Sequence, residues 1–447
     1  MNDLEGAILA GAIIAVFLAL LYALFYKYPK AERMERFGLS HWGPFLLWKT
    51  SRGRGILARI AGHTRAWRAY GNISMGICLL GACVITCLLL WQSLLVFEVP
   101  EGREPTPQMI LGLPGINPFI PLWYGIFGLV IAVMVHELAH GVLIMASRLK
   151  VRAVGLVLWV VPIGAFVEPD EDELKSAARK PRMRIYAAGP AANLLAALVC
   201  ALLFSLVFMG SVHSARAGVG VVEVIEGTPA DGILSPGMII TSFNGTETKN
   251  YREFSDALAG AHPNQEVNLT VYHGGKEHNL TLVLAEKDAY THEEKDRGKP
   301  YLGVKSTSTS TEIYHPLGSA RSLEEVPYRV ISYSLLPLYG LSPIQHPYTA
   351  FYEVSGPLSA LPSDTFWVLA NACYWAFWLN LMVGLTNVLP AVPMDGGYLF
   401  RDWLDALLLR LGCAKARREA LVDKAVSASS FLVLFLILWM LIGPRIF

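Results

Sequence analysis

The chain is 447 residues long, 53% hydrophobic and only 16% charged, far below the roughly one quarter of charged residues in a soluble domain. Its 37 basic and 36 acidic residues leave a formal net charge of +1, which excludes a global basic field suited to nucleic acid. The six cysteines (Cys78, Cys83, Cys87, Cys200, Cys373 and Cys413) lie in or beside apolar stretches and form no Cys-x-x-Cys pair, so they read as small buried hydrophobes rather than a disulfide framework.

Six apolar stretches follow in order, each long enough to span a bilayer as a helix: Leu4–Tyr26, Ile73–Phe97, Leu122–Ala146, Ile185–Met209, Phe366–Leu389 and Ala425–Ile442. The first has Asp3 and Glu5 in place of a basic start, and no small-residue cleavage site follows it, so it reads as an anchor rather than a signal peptide. Between the first two stretches lie Lys27, Lys30, Arg33, Arg36, Arg52, Arg54, Arg59, Arg65 and Arg68, whereas Glu98, Glu101 and Glu104 follow the second. The positive-inside rule puts the basic segment in the cytoplasm and the N-terminus outside. Lys175 to Arg184 and Arg401 to Arg418 then also fall inside.

The third stretch contains His136-Glu137-Leu138-Ala139-His140. On a helix, residues four apart share a face, so both imidazoles can address one metal ion while Glu137 sits about 100° around the axis. Such a carboxylate is suited to take a proton from a water activated by zinc. Ionisable groups are costly at membrane depth, which itself points to a function. The run Leu156 to Val161, bounded by Gly155 and Gly164 and interrupted by Pro162, is too short to span and reads as a hairpin dipping toward this site. Its edge strand suits an extended substrate by β-augmentation.

The fifth stretch ends in Asn387-Val388-Leu389-Pro390-Ala391-Val392-Pro393-Met394-Asp395-Gly396-Gly397. Two prolines and two glycines cannot sustain a helix there, and broken backbone at membrane depth must line a cavity or be packed in protein. The orientation puts Asp395 at the depth of the histidines. It is the expected third ligand in a His-His-carboxylate set with an open fourth position.

These motifs resemble the site-2 protease family of intramembrane metalloproteases. The first family motif is matched by His136, Glu137 and His140, and Asn-x-x-Pro-x-x-x-x-Asp-Gly by Asn387, Pro390, Asp395 and Gly396. Gly-Pro-x-x-Asn is matched by Gly189, Pro190 and Asn193, and Pro162 to Val167 is similar to the hairpin between the motifs, with Ala165 where many members carry a second glycine. The resemblance runs from about Leu122 to Asp405. It implies Zn2+ held by His136, His140 and Asp395, with Glu137 as general base. Asn387 and Asn193 are implied to lie near the metal, where an amide can bind substrate backbone or an oxyanion. It also implies a single-span membrane protein as substrate, already shortened by another protease, as in regulated intramembrane proteolysis.

Between the fourth and fifth stretches, Ala217 to Glu286 is soluble and β-rich. Gly218 to Ile225, Gly227-Thr228-Pro229-Ala230, Leu234 to Ile240 and the Asn244-Gly245 turn follow in an order that looks like a PDZ domain. Such a domain accepts extended peptide termini, and this one is expected outside, where Asn244, Asn268 and Asn279 head Asn-x-Thr sequons. Lys287 to Lys299 reads as solvated, Ser306 to Thr311 as a linker, and Val326 to Tyr339 as too short to span. The expected fold is therefore a polytopic α-helical membrane protein of about six transmembrane helices with a soluble β-rich PDZ-like domain inserted between helices four and five. The expected divisions are 1–72, the first helix and basic segment; 73–212, helices two to four with the membrane-dipping hairpin; 213–300, the PDZ-like domain; 301–365, a linker and amphipathic segment; and 366–447, helices five and six with the third metal ligand.

Overall fold

The structure is a computed structural model that describes residues 15–23, 38–42, 44–50, 52–99, 104–110, 112–159, 161–314, 317–318, 322 and 324–446. Among the described residues, five helices are long and apolar enough to cross a membrane. They are built on α1 (Thr64–Leu94), α2 (Leu122–Ala146), α3 (Arg179–Leu202), α4 (Ser363–Asn387) and α6 (Lys415–Ile442), with α5 (Asp395–Arg410) between the last two. Most of the expected first span, Leu4–Tyr26, lies outside the described residues; residues 15–22 of it are helical. Several helices begin earlier than their apolar stretch, α1 at Thr64 and α6 at Lys415, because charged first turns continue a helix past the lipid boundary.

The chain divides into two compact units, residues 1–200 with 375–447, and residues 201–374. The first holds a four-stranded antiparallel sheet of β1 (Leu39–Trp42), β2 (Phe45–Thr50), β3 (Val151–Trp159) and β4 (Val161–Pro169), in that spatial order. The hairpin expected around Gly155 to Val167 is therefore half of a larger sheet. Its other half comes from residues read only as a basic segment. Lys49 spans the sheet to Glu168, at 2.8 Å.

Helix α2 positions its motif by packing small residues. Gly125, Gly128, Ala132 and His136 are all buried and recur every three or four positions, which makes one stripe. At Gly128 an added Cβ would lie 2.7 Å from the Trp375 carbonyl of α4, so the stripe is what lets α4 approach. The helix ends with Arg148 at φ +63°, where the Leu149 N–H bonds the Ile144 carbonyl at 3.1 Å and the Arg148 N–H bonds that of Met145 at 2.9 Å. This is a Schellman closure, and it turns the chain directly into β3. Around it Leu57, Val142, Leu143, Ile144, Val151, Val167 and Ile185 form a buried cluster.

The break after α4 is Val388 to Met394, and it contains both prolines. The two glycines have a different reason from the expected one, since both lie inside the first turn of α5. A Cβ on Gly396 would sit 2.2 Å from the Val388 carbonyl oxygen, and one on Gly397 2.6 Å from the Ala391 backbone. The prolines end α4; the glycines let α5 fold back onto the break.

The second unit is β-rich. Its strands are β5 (Val212–Ser214), β6 (Val219–Val224), β7 (Ile239–Phe243), β8 (Thr246–Glu247), β9 (Glu266–His273), β10 (Lys276–Val283), β11 (Ala285–Glu286), β12 (Pro300–Tyr301), β13 (Val304–Ser308) and β14 (Tyr352–Val354). The main sheet has the order β10-β9-β7-β6-β13, with β8 on β7. Asn244 and Gly245 both have positive φ, +52° and +80°, as the turn between β7 and β8 requires. Val219, Val221, Ile240, Phe243, Phe254, Leu269 and Val271 fill the core. Residues 306 to 308 of the expected linker are part of β13, which pairs with β6. Small polar residues read locally as a linker, but the neighbouring strand supplies the pairing. Val326 to Tyr339 falls on helix Glu325–Ser334 and the turn Leu336–Tyr339.

Within residues 287–299, expected to be solvated, every residue but Asp296 is exposed or partly exposed. Asp296 is only 2% exposed, with Lys287 Nζ and Lys299 Nζ each 3.0 Å from its carboxylate. Hydrogen bonds from these two lysines hold the carboxyl at about 2, below the ordinary 3.8. The folded value is the lower one, so the stabilisation is complete above about pH 4 and is lost as pH falls toward about 2. Protection factors for amide exchange in β12 and β13 should decline over that window in the whole protein. Asp296→Asn should start lower and stay flat; an equal decline in both proteins would remove this assignment.

All six cysteines are free, with Cys78 buried. Cys83 and Cys87 are exposed, which corrects their reading as buried; they lie on the apolar outer face of α1, where exposure in the isolated chain corresponds to lipid.

Candidate metal centre

Two elements converge on one point. His136 and His140 come from one face of α2, and Asp395 is the first residue of α5. His136 Nε2 lies 3.0 Å and His140 Nε2 3.2 Å from Asp395 Oδ2, and the two Nε2 atoms are 3.0 Å apart. Three expected ligands, two of them four residues apart and the third 255 residues beyond His140, thus present one donor atom each within 4.8 Å of one another.

The donors fit a divalent ion. Bonds of about 2.0–2.1 Å in tetrahedral geometry put ligand atoms roughly 3.3 Å apart, close to the separations observed. His140 Nδ1 lies 2.7 Å from the Ile185 carbonyl oxygen of α3. A carbonyl only accepts, so Nδ1 carries the proton and donates it, leaving the Nε2 lone pair aimed at the other two donors, the outer-shell arrangement of metal-bound imidazole. His136 Nδ1 is buried with no hydrogen-bond partner among the described residues.

The third wall of the centre is Gly189. A Cβ there would fall 2.4 Å from His140 Nε2 and 2.6 Å from His136 Nε2, so only hydrogen leaves room for the donors. Pro190 follows inside α3. Lacking an N–H, it leaves the Tyr186 carbonyl without its helical donor and loosens the turn that offers the Ile185 carbonyl to His140. Tyr70 of α1 donates its hydroxyl to the Ala188 carbonyl at 2.9 Å, which ties α1 to this turn.

In front of the donors is a cavity of about 310 Å³ lined by His136, Glu137, His140, Tyr186, Asn387 and Asp395 among others. At roughly 30 Å³ per liquid water, this holds far more than one ion. Glu137 lines it without joining the donor triad, and Glu137 Oε2 accepts the backbone N–H of Val167 in β4 at 3.1 Å. Asn387 lines the same cavity and donates to its own helix at the Val383 carbonyl, 3.0 Å away. Asn193 is not among the lining residues. It is fully buried, beside Gly384 of α4, and neither its amide nitrogen nor its amide oxygen has a partner among the described residues. Sequence reasoning missed Tyr186, the Ile185 carbonyl and the Val167 N–H. The two backbone groups leave no side-chain signal to read.

Comparison with known proteins gives four findings. Residues 124–435 match the profile of peptidase family M50. An uncharacterized protein of Methanocaldococcus jannaschii is 23% identical over 437 residues, covering 97% of each chain. A membrane-bound transcription factor site-2 protease homolog of Arabidopsis thaliana is 26% identical over 226 residues, covering 48% of this chain and 42% of that one. Among solved structures, the PDZ domain of the SdrC-like protein of Listeria innocua is 30% identical, covering 20% of this chain and 92% of that one, with a TM-score of 0.18.

Proposed function

The chain belongs to peptidase family M50, the site-2 proteases, and on that premise we propose that it is a zinc-dependent endopeptidase cleaving transmembrane segments of single-span proteins in regulated intramembrane proteolysis. The observation that carries this reading is the donor triangle of His136, His140 and Asp395 sharing one cavity with the non-ligand carboxylate of Glu137. A zinc ion held by the triad supplies Lewis acidity toward water and the scissile carbonyl.

The protein's own groups do the rest. Glu137 takes the proton of the attacking water and passes it to the leaving amine. The Val167 N–H keeps its carboxylate aimed into the cavity. β4 is an outer strand of its sheet, and backbone alternation turns the N–H of Ala165 to the same side as that of Val167. An extended substrate added along this edge is presented to Glu137 with its peptide groups uncovered, which a helical segment cannot do. Asn387 lies in the cavity, suited to bind the substrate backbone or the developing oxyanion; Asn193 packs behind it, beside Gly384 one turn earlier on α4. The basic segments place the centre toward the cytoplasm. The same charge pattern favours an outside location for the β-rich, PDZ-like domain, which is suited to a peptide terminus.

The test uses purified full-length protein and a tagged single-span substrate. Cleavage should stop on treatment with phenanthroline and return with added Zn2+. Asp395→Ala and His140→Ala should each drop bound zinc from one equivalent to less than a tenth. Cleavage indifferent to the chelator would defeat the mechanism. For sidedness, a cysteine placed at Asn244 should react with an impermeant reagent from outside; reaction from the cytoplasmic side alone reverses the orientation.

A further inference from the structure

Asp395 begins α5, just past a broken segment, so something must hold that helix in register. On α5, Asp395, Tyr398, Asp402 and Asp405 are spaced three, four and three apart, which makes one stripe. On α3 the residues Arg179, Arg182, Tyr186 and Gly189 have the same spacing. The two stripes meet rung by rung in antiparallel order. Gly189 backs the donor atoms. Tyr186 stacks on Tyr398, ring centroids 5.0 Å apart and planes within 18°. Arg182 grips Asp402 with two prongs, Nε to Oδ2 at 2.9 Å and a second from its other arm. Arg179 pairs with Asp405, whose other oxygen takes Arg418 Nε of α6 at 2.6 Å.

We propose that the Arg182–Asp402 fork, backed by Arg179–Asp405–Arg418, is the positioning device that sets the register of α5 on α3 and so delivers the Asp395 carboxylate to the metal. This rests on the zinc reading above. Asp402 is 3% exposed, and a buried ion pair is weak as a source of stability but well suited to fixing register. A planar two-pronged arginine contact fixes orientation as well as distance. Other contacts hold α5 on its open side: Arg401 and Asp423 also join α5 to α6, but both are more than half exposed and lie off the stripe.

The experiment measures metal affinity by chelator competition on the purified full-length protein, together with the absorption spectrum after Co2+ substitution. Asp402→Asn should weaken metal binding about 10-fold, the low end of the cost of losing a group bonded directly to a ligand, because Asp402 acts on Asp395 only through the register of α5, and it should change the Co2+ spectrum. Arg182→Lys keeps the charge and loses the fork, and it should weaken binding several-fold; it decides the matter if Asp402→Asn does not fold. The exchanged pair Arg182→Asp with Asp402→Arg should recover part of the affinity. Arg401→Gln, at the exposed pair, should change nothing. If Asp402→Asn or Arg182→Lys lowers the melting midpoint while metal affinity stays within twofold of the parent, the pair is only structural and the proposal is overturned. Asp395→Ala is the separate check on the zinc reading: unaltered metal binding there defeats that reading itself.

Discussion

Glu137→Gln is expected to reduce the cleavage rate by about 10²- to 10⁴-fold, the range for loss of a general base, with zinc content unchanged. The two halves of this expectation have separate grounds. Glu137 is not one of the three donors that lie within 4.8 Å of one another, so its neutralisation leaves the triad intact. Glutamine has nearly the same shape and keeps a carbonyl oxygen for the Val167 N–H that now bonds Oε2, so β4 and the cavity wall need not move. What disappears is only the ability to take a proton at neutral pH. Initial rates on a tagged single-span substrate, with metal measured on the same sample, test both halves. A glutamine variant with more than a tenth of the parental rate removes Glu137 from the role of base. One that loses its zinc makes Glu137 part of the metal site instead.

Gly189→Ala is expected to abolish both zinc binding and cleavage, although it adds a single methyl group. The new Cβ would stand 2.4 Å from His140 Nε2 and 2.6 Å from His136 Nε2, well inside van der Waals contact. His140 cannot swing away without giving up its bond to the Ile185 carbonyl, and His136 is buried in the stripe that packs α2 on its neighbours. Alanine favours a helix over glycine by about 1 kcal/mol, against an overpacking cost of about 1–3 kcal/mol. The fold should therefore survive with a melting point near that of the parent while bound metal falls below a tenth of an equivalent. A fully metallated alanine variant would show that α3 does not wall the centre as closely as described.

The features legible without coordinates are those carried by local periodicity. The four-residue spacing of His136 and His140, the apolar lengths of the spans, and the proline-broken end of α4 each follow from a helix's own geometry. The orientation expected from the basic residues set Asp395 at the depth of the histidines, and its carboxylate does lie beside them. The Asn244-Gly245 turn was readable for the same local reason. Readings failed where long-range pairing decided the outcome. Leu39 to Thr50 looked like part of a basic segment until β2 paired with β3, and Ser306 to Ser308 looked like linker until β13 paired with β6. Asp296 looked solvated because nothing local shows two lysines closing over it.

The sequence by itself determined which residues are candidates for the chemistry and on which helices they ride, because helical period and hydropathy act over a few residues. Only the tertiary structure decided what holds them. The Val167 N–H on Glu137, the Ile185 carbonyl on His140, the bare Cα of Gly189 and the Arg182–Asp402 fork all depend on distances between elements far apart in the chain, and backbone groups look the same at every position of a sequence.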